Sequence, residues 1–198
     1  PTAEPPAETA VPVPTVRFGV LNGPTGVGAA GLTALWEDAA TYNNYEVEVY
    51  TDNSQVAAEL TNGSLDIAAM ASNVAATLYN NSDGAVRMVA VSGLGVLYIL
   101  ENGDTVESMA DLEGRTLYAT GQGANPEYVL NYLLTENGVD PAQVDIQWRT
   151  ADEITALMAS GEADLCMLPV PAATAVQLQN AEVREGLDLS AEWDALQN

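Results

Sequence analysis

The chain has 198 residues, with 28 acidic side chains against five arginines, no lysine and no histidine, for a net charge of −23. That balance excludes nucleic-acid binding, which needs clustered Lys and Arg to displace phosphate counterions, and adsorption to anionic membranes. The missing residue types exclude a Ser-His-Asp triad, a Cys-His dyad, His-ligated zinc and a lysine Schiff base, and a lone Cys166 can form neither an internal disulfide nor a zinc cluster.

Residues 1–14, PTAEPPAETAVPVP, cannot bury apolar surface and are expected to form an extended linker. A Pro-rich leader of this kind suits a tether holding a lipoprotein off a membrane, although the anchoring Cys is not in the sequence; a trimmed chain end fits it equally. Strand and helix patterns then alternate. Val16–Leu21 reads as a strand, Ala29–Tyr42 as a helix and Tyr45–Tyr50 as a strand. Ser54–Leu60 reads as a helix with Ser54 as N-cap, Asp66–Ala71 as a buried strand and Asn73–Tyr79 as a helix. Val86–Val91 and Val96–Leu100 read as two further strands, the run from Val86 to Leu100 being too interrupted by Arg87, Ser92 and Gly93 for a membrane span.

The rhythm restarts after the turn Asp111–Gly114. Arg115–Ala119 is a predicted strand, Asn125–Asn137 a helix with Gly138 as C-cap, and Val144–Trp148 a strand. Asp152–Ser160 is a helix, Ala163–Leu168 a strand and Pro171–Gln179 a helix. Cys166 sits in the apolar run Leu165–Leu168 and reads as a buried structural thiol. The restart is an internal repeat: SQVAAELTNGSLDIAAMASNVAATL (54–78) aligns without gaps with DEITALMASGEADLCMLPVPAATAV (152–176) at an offset of 98, including Gly63 with Gly161 and Asp66 with Asp164. Phe18–Gly23 pairs likewise with Leu117–Gln122. The fold class expected is α/β, two similar lobes with parallel-rich sheets facing each other across a cleft.

In such sheets ligands bind beyond the C-terminal strand ends, at helix N-termini. Four loops occupy that position: Asn22-Gly23-Pro24-Thr25-Gly26, Ala71-Ser72-Asn73, Gly121-Gln122-Gly123-Ala124-Asn125 and Pro169-Val170-Pro171. They are poor in charge and rich in Gly, Ser, Thr, Asn and Gln. Free amides at a helix N-terminus hold carboxylate, sulfonate or phosphate oxygens without a cation; a neutral polar ligand held by Asn and Gln side chains is the alternative. Neither Gly23–Gly28 nor Gly121–Gly123 meets the dinucleotide order G-x-G-x-x-G, and there is no D-x-D-x-D-G calcium loop, so no cofactor and no metal is expected. Trp36, Trp148 and Trp193 read as core or lobe-interface residues, Tyr128 has the best functional claim among the tyrosines, and Arg149 reads as a surface salt bridge ahead of an anion ligand.

The opening strand VRFGVLNGPTG, the unit AAELTNGSLDIAAMASNVAATLYN, the crossing region VRMVAVSGLGVLYIL and the second opening DLEGRTLYATGQGANPEYVLNYLLTENG resemble the type II periplasmic binding proteins, in the nitrate/sulfonate/taurine and thiamine-precursor-like branch. The resemblance implies a Venus-flytrap architecture, with lobe 1 at 15–97, lobe 2 at 98–198 and a hinge about 93–103. It implies no catalytic residues, an extracytoplasmic location, in full-length form as a membrane-anchored lipoprotein, and delivery of a small-molecule ligand to an ABC transporter permease. Carried over by position, the ligand residues are Asn22, Gly23, Pro24, Thr25, Ser72 and Asn73 in the first lobe. Ser92 and Gly93 lie at the hinge edge, and Gln122, Gly123, Ala124, Asn125 and Pro169 in the second lobe. Members of the family run on for about a hundred residues that cross back to lobe 1, and the sequence stops about where that return is expected; the resemblance therefore implies either a fragment or truncated product, or lobes completed some other way such as exchange between chains, where unpaired edges would favour a dimer or domain swap. Two other readings stand beside this one: an enzyme on the same fold, chorismate-dehydratase-like, and a ligand-sensing surface module. The thiamine-pyrimidine synthases on this fold depend on His and Lys, both absent.

Overall fold

The computed structural model describes residues 13–37 and 41–197; the expected linker therefore lies, apart from Val13 and Pro14, outside the described residues. Parallel strands need a crossover, and here helices supply it. In the first half the order is β1 (Thr15–Leu21), α1 (Pro24–Glu37), β2 (Asn44–Tyr50), α2 (Asn53–Asn62), β3 (Ile67–Ala69) and α3 (Ser72–Asn81). The strands form a parallel sheet ordered β2-β1-β3. The second half runs β4 (Leu97–Asn102), β5 (Thr116–Ala119), α4 (Asn125–Glu136), β6 (Asp145–Trp148), α5 (Ala151–Ser160), β7 (Leu165–Pro169), α6 (Ala172–Gln179), β8 (Val183–Asp188) and α7 (Leu189–Ala195). Its sheet is ordered β6-β5-β7-β4-β8, with β4 antiparallel to both neighbours. Among the described residues no helix is long and apolar enough to cross a membrane.

The repeat is built to the level of single hydrogen bonds. β2-β1-β3 and β6-β5-β7 share order and direction, and Gly19 faces Ala68 as Tyr118 faces Cys166. The α2 helix ends on Gly63 at φ 83°, whose amide donates to the carbonyls of Glu59 and Leu60. The α5 helix ends on Gly161 at φ 74°, whose amide donates to Leu157 and Met158, the residues 98 positions on. In both, the chain turns through a left-handed residue, which glycine adopts without strain, and the next two amides return to the same carbonyl.

Several boundaries differ from the expectation. The α1 helix starts at Pro24, so Pro24, Thr25 and Gly26 form its first turn and not a loop; proline fits there because a first-turn amide has no partner to lose. The expected continuation to Tyr42 fails: residues 38–40 lie outside the described set and Thr41–Asn43 are non-helical. The N-cap of α2 is Asp52, accepting from the amides of Ser54 and Gln55, and not Ser54. Its counterpart in α5 is Thr150, in a reciprocal capping box with Glu153. The α4 helix is capped at Asn137, with Gly138 (φ 80°) following it.

The predicted strand Val86–Val91 does not form. Its apolar pattern calls for a sheet partner and finds none among the described residues, leaving Val89 91% and Leu94 87% exposed. The chain is fixed again at Gly95, where φ is +55° and Ser190 leaves no space for a side chain. Val96 then accepts from the Val170 amide, and β4 begins. Two elements were not expected at all, β8 and α7. The strand VREGLD looks polar because only one face is buried: Val183 and Leu187 point inward, and it packs as an edge against β4.

Burial is unequal. The second half carries two apolar clusters, one centred on Ile99, Leu117, Leu130, Leu133 and Met167, the other on Leu100, Ile154, Met158 and Leu168. Among the described residues of the first half the buried hydrophobics are Val20, Ala29, Val56 and Leu65. Cys166 is buried as expected, and burial pushes its thiol up to about 12.

One charge lies inside the second half. Glu101, on β4, has a side chain 2% exposed and accepts from the Thr105 hydroxyl and amide and the Val106 amide. Arg184 lies 2.8 Å and Arg115 3.5 Å away. Arg184 also donates to the carbonyls of Gly103 and Val106, so β4, β8 and the loop between Asn102 and Glu107 are clasped together. Burial pushes the Glu101 carboxyl up, but the hydrogen bonds of Thr105 and Val106 and the charge of Arg184 outweigh it and hold the group below its ordinary value.

Glu101→Ala removes one partner of a buried pair; with both arginines about one-third exposed, a loss of about 3 kcal/mol in urea unfolding is expected. A carboxyl held low contributes stability above its unfolded value and loses it as pH falls through the folded one. The stability gap between wild type and Glu101→Gln is therefore widest above pH ~5 and closes on acidification. In the same assay Gly63→Ala and Gly161→Ala each cost about 1 kcal/mol, and the two losses add.

Candidate functional site

Each parallel βα unit delivers a helix N-terminus at the C-terminal end of its strand, and the two halves face each other on that side. Between them lies a crevice of about 2590 Å³. A small-molecule site is typically ~300–1,000 Å³. The surplus comes from the thinly covered first half, where Leu60, Leu65 and Ile67 line the same hollow as the segment from Ala85 to Leu97.

Most of the expected site residues line this crevice. Asn22, Gly23, Pro24 and Thr25 do so at the start of α1, Ser72 at the start of α3, and Ser92 and Gly93 on the crossing segment. Gln122, Ala124 and Asn125 do so before α4, and Pro169 at the end of β7. The remaining two, Asn73 and Gly123, meet each other: Asn73 Nδ2 donates to the Gly123 carbonyl at 3.3 Å. Beside this contact Asn125 Nδ2 donates to Ser72 Oγ at 2.8 Å. Two hydrogen bonds between residues 50 and 53 positions apart thus join the N-terminus of α3 to that of α4. Not every expected group is free. The Thr25 hydroxyl is tied to the Leu21 carbonyl and the Gly123 amide to Glu127.

The helix ends differ in how they are finished. Asp52 caps α2 and Thr150 caps α5. No side chain caps α3, α4 or α6. The first-turn amides of α3, from Ser72 to Val74, keep their donors and the positive end of the helix dipole. The Asn73 Oδ1 atom is the one buried side-chain polar atom without a hydrogen-bond partner among the described residues.

Charge is distributed to match. Arg17 is bidentate on Asp66, and Arg115 and Arg184 hold Glu101. The other two arginines, Arg87 and Arg149, form no ion pair among the described residues, and both line the crevice. Each is held by a carbonyl instead, Arg87 by Gly84 and Arg149 by Trp148. The reading of Arg149 as a surface salt bridge is therefore corrected: no carboxylate of the described residues comes within ion-pair distance. The carboxylates around the crevice are largely engaged. Hydrogen bonds from Arg17 hold Asp66 at about 2. Asp52 is held low by Ser54 and Gln55, and Glu153 by the amide and hydroxyl of Thr150.

Sequence reasoning passed over Arg87 and Thr150 as site residues. A usable signal was present: Trp148-Arg149-Thr150-x-x-Glu153 puts an arginine at a strand end directly before a capping box. Asn53 was also missed; its Oδ1 accepts from the Ala71 amide at 3.0 Å and braces the turn that presents Ser72 and Asn73. Of the aromatics, Trp148 and Trp193 reach the crevice, Tyr128 is 59% exposed and outside its lining, and the Trp36 side chain lies outside the described set.

The family model described as NMT1/THI5 like matches residues 47–196. Among solved structures, an ABC transporter from Parabacteroides distasonis superposes with a TM-score of 0.67 at 23% identity, over 88% of this chain and 59% of that one. The periplasmic aliphatic sulphonate binding protein SsuA from Escherichia coli follows at 0.66 and 21%, over 91% and 62%. The periplasmic nitrate-binding protein NrtA from Synechocystis gives 0.63 at 14%, over 88% and 51%. The chain thus spans less than two thirds of the length of each. No curated protein sequence matches it.

Ser72→Ala and Asn125→Ala each remove the same cross-crevice hydrogen bond. Their double-mutant cycle in urea unfolding should return a coupling of about 1 kcal/mol, whereas a coupling near zero would show that the two halves are not in contact there.

Proposed function

The chain belongs to the NMT1/THI5-like family, and from that premise we propose that it captures a small oxyanion between two lobes as part of a solute-binding protein serving an ABC importer. The observation that carries this reading is the pairing of unmatched donors in one place. In a chain of net charge −23, the two arginines without ion pairs, Arg87 and Arg149, line the same crevice as the uncapped N-terminus of α3. Elsewhere the described arginines form close ion pairs, whereas Arg87 and Arg149 are held by carbonyls, with Arg149 acting on Glu153 only at longer range; two cations without a close carboxylate around a hollow of helix amides are where a negative ligand gains most. That two structural neighbours are named for sulphonate and nitrate accords with this.

The lobes are residues 15–97 and 98–198; of the hinge expected about 93–103, residues 97–102 form β4 inside the second sheet, so the exposed crossing from Met88 to Leu94 is read as the flexible connection. Ligand binding shifts the population toward the arrangement in which the loops around Asn22, Ser72, Gln122 and Pro169 surround the anion. The work is capture and release without turnover, outside the cytoplasm; an anchoring lipid and docking on a permease complete the reading. The structural neighbours named above are transport proteins, which favours this over an enzyme on the same fold.

Thermal unfolding with and without ethanesulfonate, nitrate and a neutral pyrimidine tests it. At a ligand concentration of 100 Kd the stabilisation is about 2.7 kcal/mol, a Tm rise of about 5–10 °C for a chain of this size. The anions should give it and the pyrimidine should not. Arg149→Gln, which loses a charge-assisted contact, should weaken anion binding about tenfold in calorimetric titration. Absence of a shift with every anion would remove the reading.

A further inference from the structure

The sequence contains four Asn-Gly dipeptides, beginning at Asn22, Asn62, Asn102 and Asn137. An asparagine before glycine can cyclise on its own backbone: the next amide nitrogen attacks the side-chain carbonyl carbon, and glycine, lacking a Cβ, does not obstruct the approach. The fold decides which of the four is free to do so. The Asn62 side chain is pinned at both ends, Nδ2 donating to Glu59 at 3.1 Å and Oδ1 accepting from the Ser64 amide at 2.8 Å. Its attacking nitrogen, that of Gly63, is engaged by the carbonyls of Glu59 and Leu60. Asn137 Nδ2 donates to the Leu133 carbonyl at 2.8 Å, and the Gly138 amide donates to Thr135 at 3.0 Å. Asn102 is the last residue of β4, held opposite Val183 with its amide on the Asp164 carbonyl, and Arg184 clasps the Gly103 carbonyl.

Asn22 differs from the other three. It lies in the turn after β1, exposed, and its side chain forms no hydrogen bond among the described residues. The Gly23 amide has no acceptor among them either. Only the flanking groups are fixed: the Asn22 amide donates to the Tyr50 carbonyl at 2.7 Å, and the Gly23 carbonyl accepts from Val27 at 3.0 Å. A Cβ at Gly23 would meet nothing within 4 Å, so the space beside the attacking nitrogen is open. The twin turn of the second half carries Gly121-Gln122 at these positions and lacks this chemistry.

We propose that Asn22-Gly23 is a modification site, at which spontaneous deamidation turns a neutral part of the crevice wall into a charged one and lowers anion capture as the protein ages. The Gly23 nitrogen, giving up its proton, bonds to Asn22 Cγ as the Cγ–Nδ2 bond breaks, and the proton leaves with Nδ2 as ammonia. Water then opens the succinimide ring at one carbonyl or the other. The products are aspartate with an ordinary backbone and isoaspartate, whose chain runs through the side chain. Both place a carboxylate where Asn22 now lines the crevice. The effect on capture rests on the oxyanion reading, since like charge there repels the ligand; the modification itself does not.

The test holds the 198-residue chain in mildly alkaline buffer, folded or in urea, and then cuts it at glutamate. Cleavage at Glu37, Glu59, Glu101, Glu107, Glu136 and Glu153 puts the four asparagines on separate peptides. Mass spectrometry follows the gain of about 1 Da as an amide becomes an acid. In the folded chain Asn22 should convert at least tenfold faster than Asn62, Asn102 and Asn137, giving both aspartate and isoaspartate. In urea the four rates should fall within threefold of one another. An Asn22 no faster than the others when folded, or one that keeps its tenfold lead in urea, overturns the site. Calorimetric titration with ethanesulfonate then compares fresh wild type with Asn22→Asp and Asn62→Asp. Asn22→Asp should bind at least tenfold more weakly and Asn62→Asp as wild type does. Equal binding by wild type and Asn22→Asp overturns the effect on capture. Failure of wild type to bind overturns the capture reading and that effect with it, whereas the modification is decided by the masses alone.

Discussion

Two helix N-termini brought together across a gap are electrostatically uncomfortable, because each presents unpaired amides and a partial positive charge. The meeting of α3 and α4 is the constraint on which the rest of this molecule depends. It follows from the parallel βα unit: a strand that runs into the crevice must send its helix away from it, N-terminus first. Bringing two such units face to face concentrates donors on the crevice walls. The structure meets part of the demand internally, with Asp52 on α2 and Thr150 and Glu153 on α5. On α3, α4 and α6 no side chain caps the end. Arg87 and Arg149, the two arginines without a close ion pair among the described residues, line the same crevice.

Much of this architecture was legible in the residues. The repeat between 54–78 and 152–176 appears as matching sheet order, strand register and glycine-terminated helices because a left-handed C-cap needs glycine, a local signal; of the two strands expected to be buried, β7 is, whereas β3 leaves Ile67 exposed. The loops followed from topology alone, which is why Ser72, Asn73, Gly123 and Asn125 came together across the crevice. What failed depended on partners distant in sequence. Val86–Val91 has a strand's composition, but a strand exists only by pairing. VREGLD lacks a strand's composition, yet β4 supplies it with a partner. Capping was misread by two residues at Ser54 because Asp52 reaches forward to the amides of Ser54 and Gln55. Arg149 was assigned to a salt bridge on charge statistics, and only the placement of the carboxylates separates that from an unpaired cation.

The two halves are related in topology and unequal in consolidation. The second has a core on both faces of its sheet, with Glu101 clasping β4 to β8 and to the loop that follows β4. Among its described residues the first buries few side chains, and the crossing segment that leads from it is exposed until Gly95 settles against Ser190. Local stability tracks buried apolar contact. The second half is therefore the better consolidated of the two. This division is compatible with the weak cross-crevice contacts. Two hydrogen bonds between neutral groups, each of net worth about 1 kcal/mol, tie the two halves at this point.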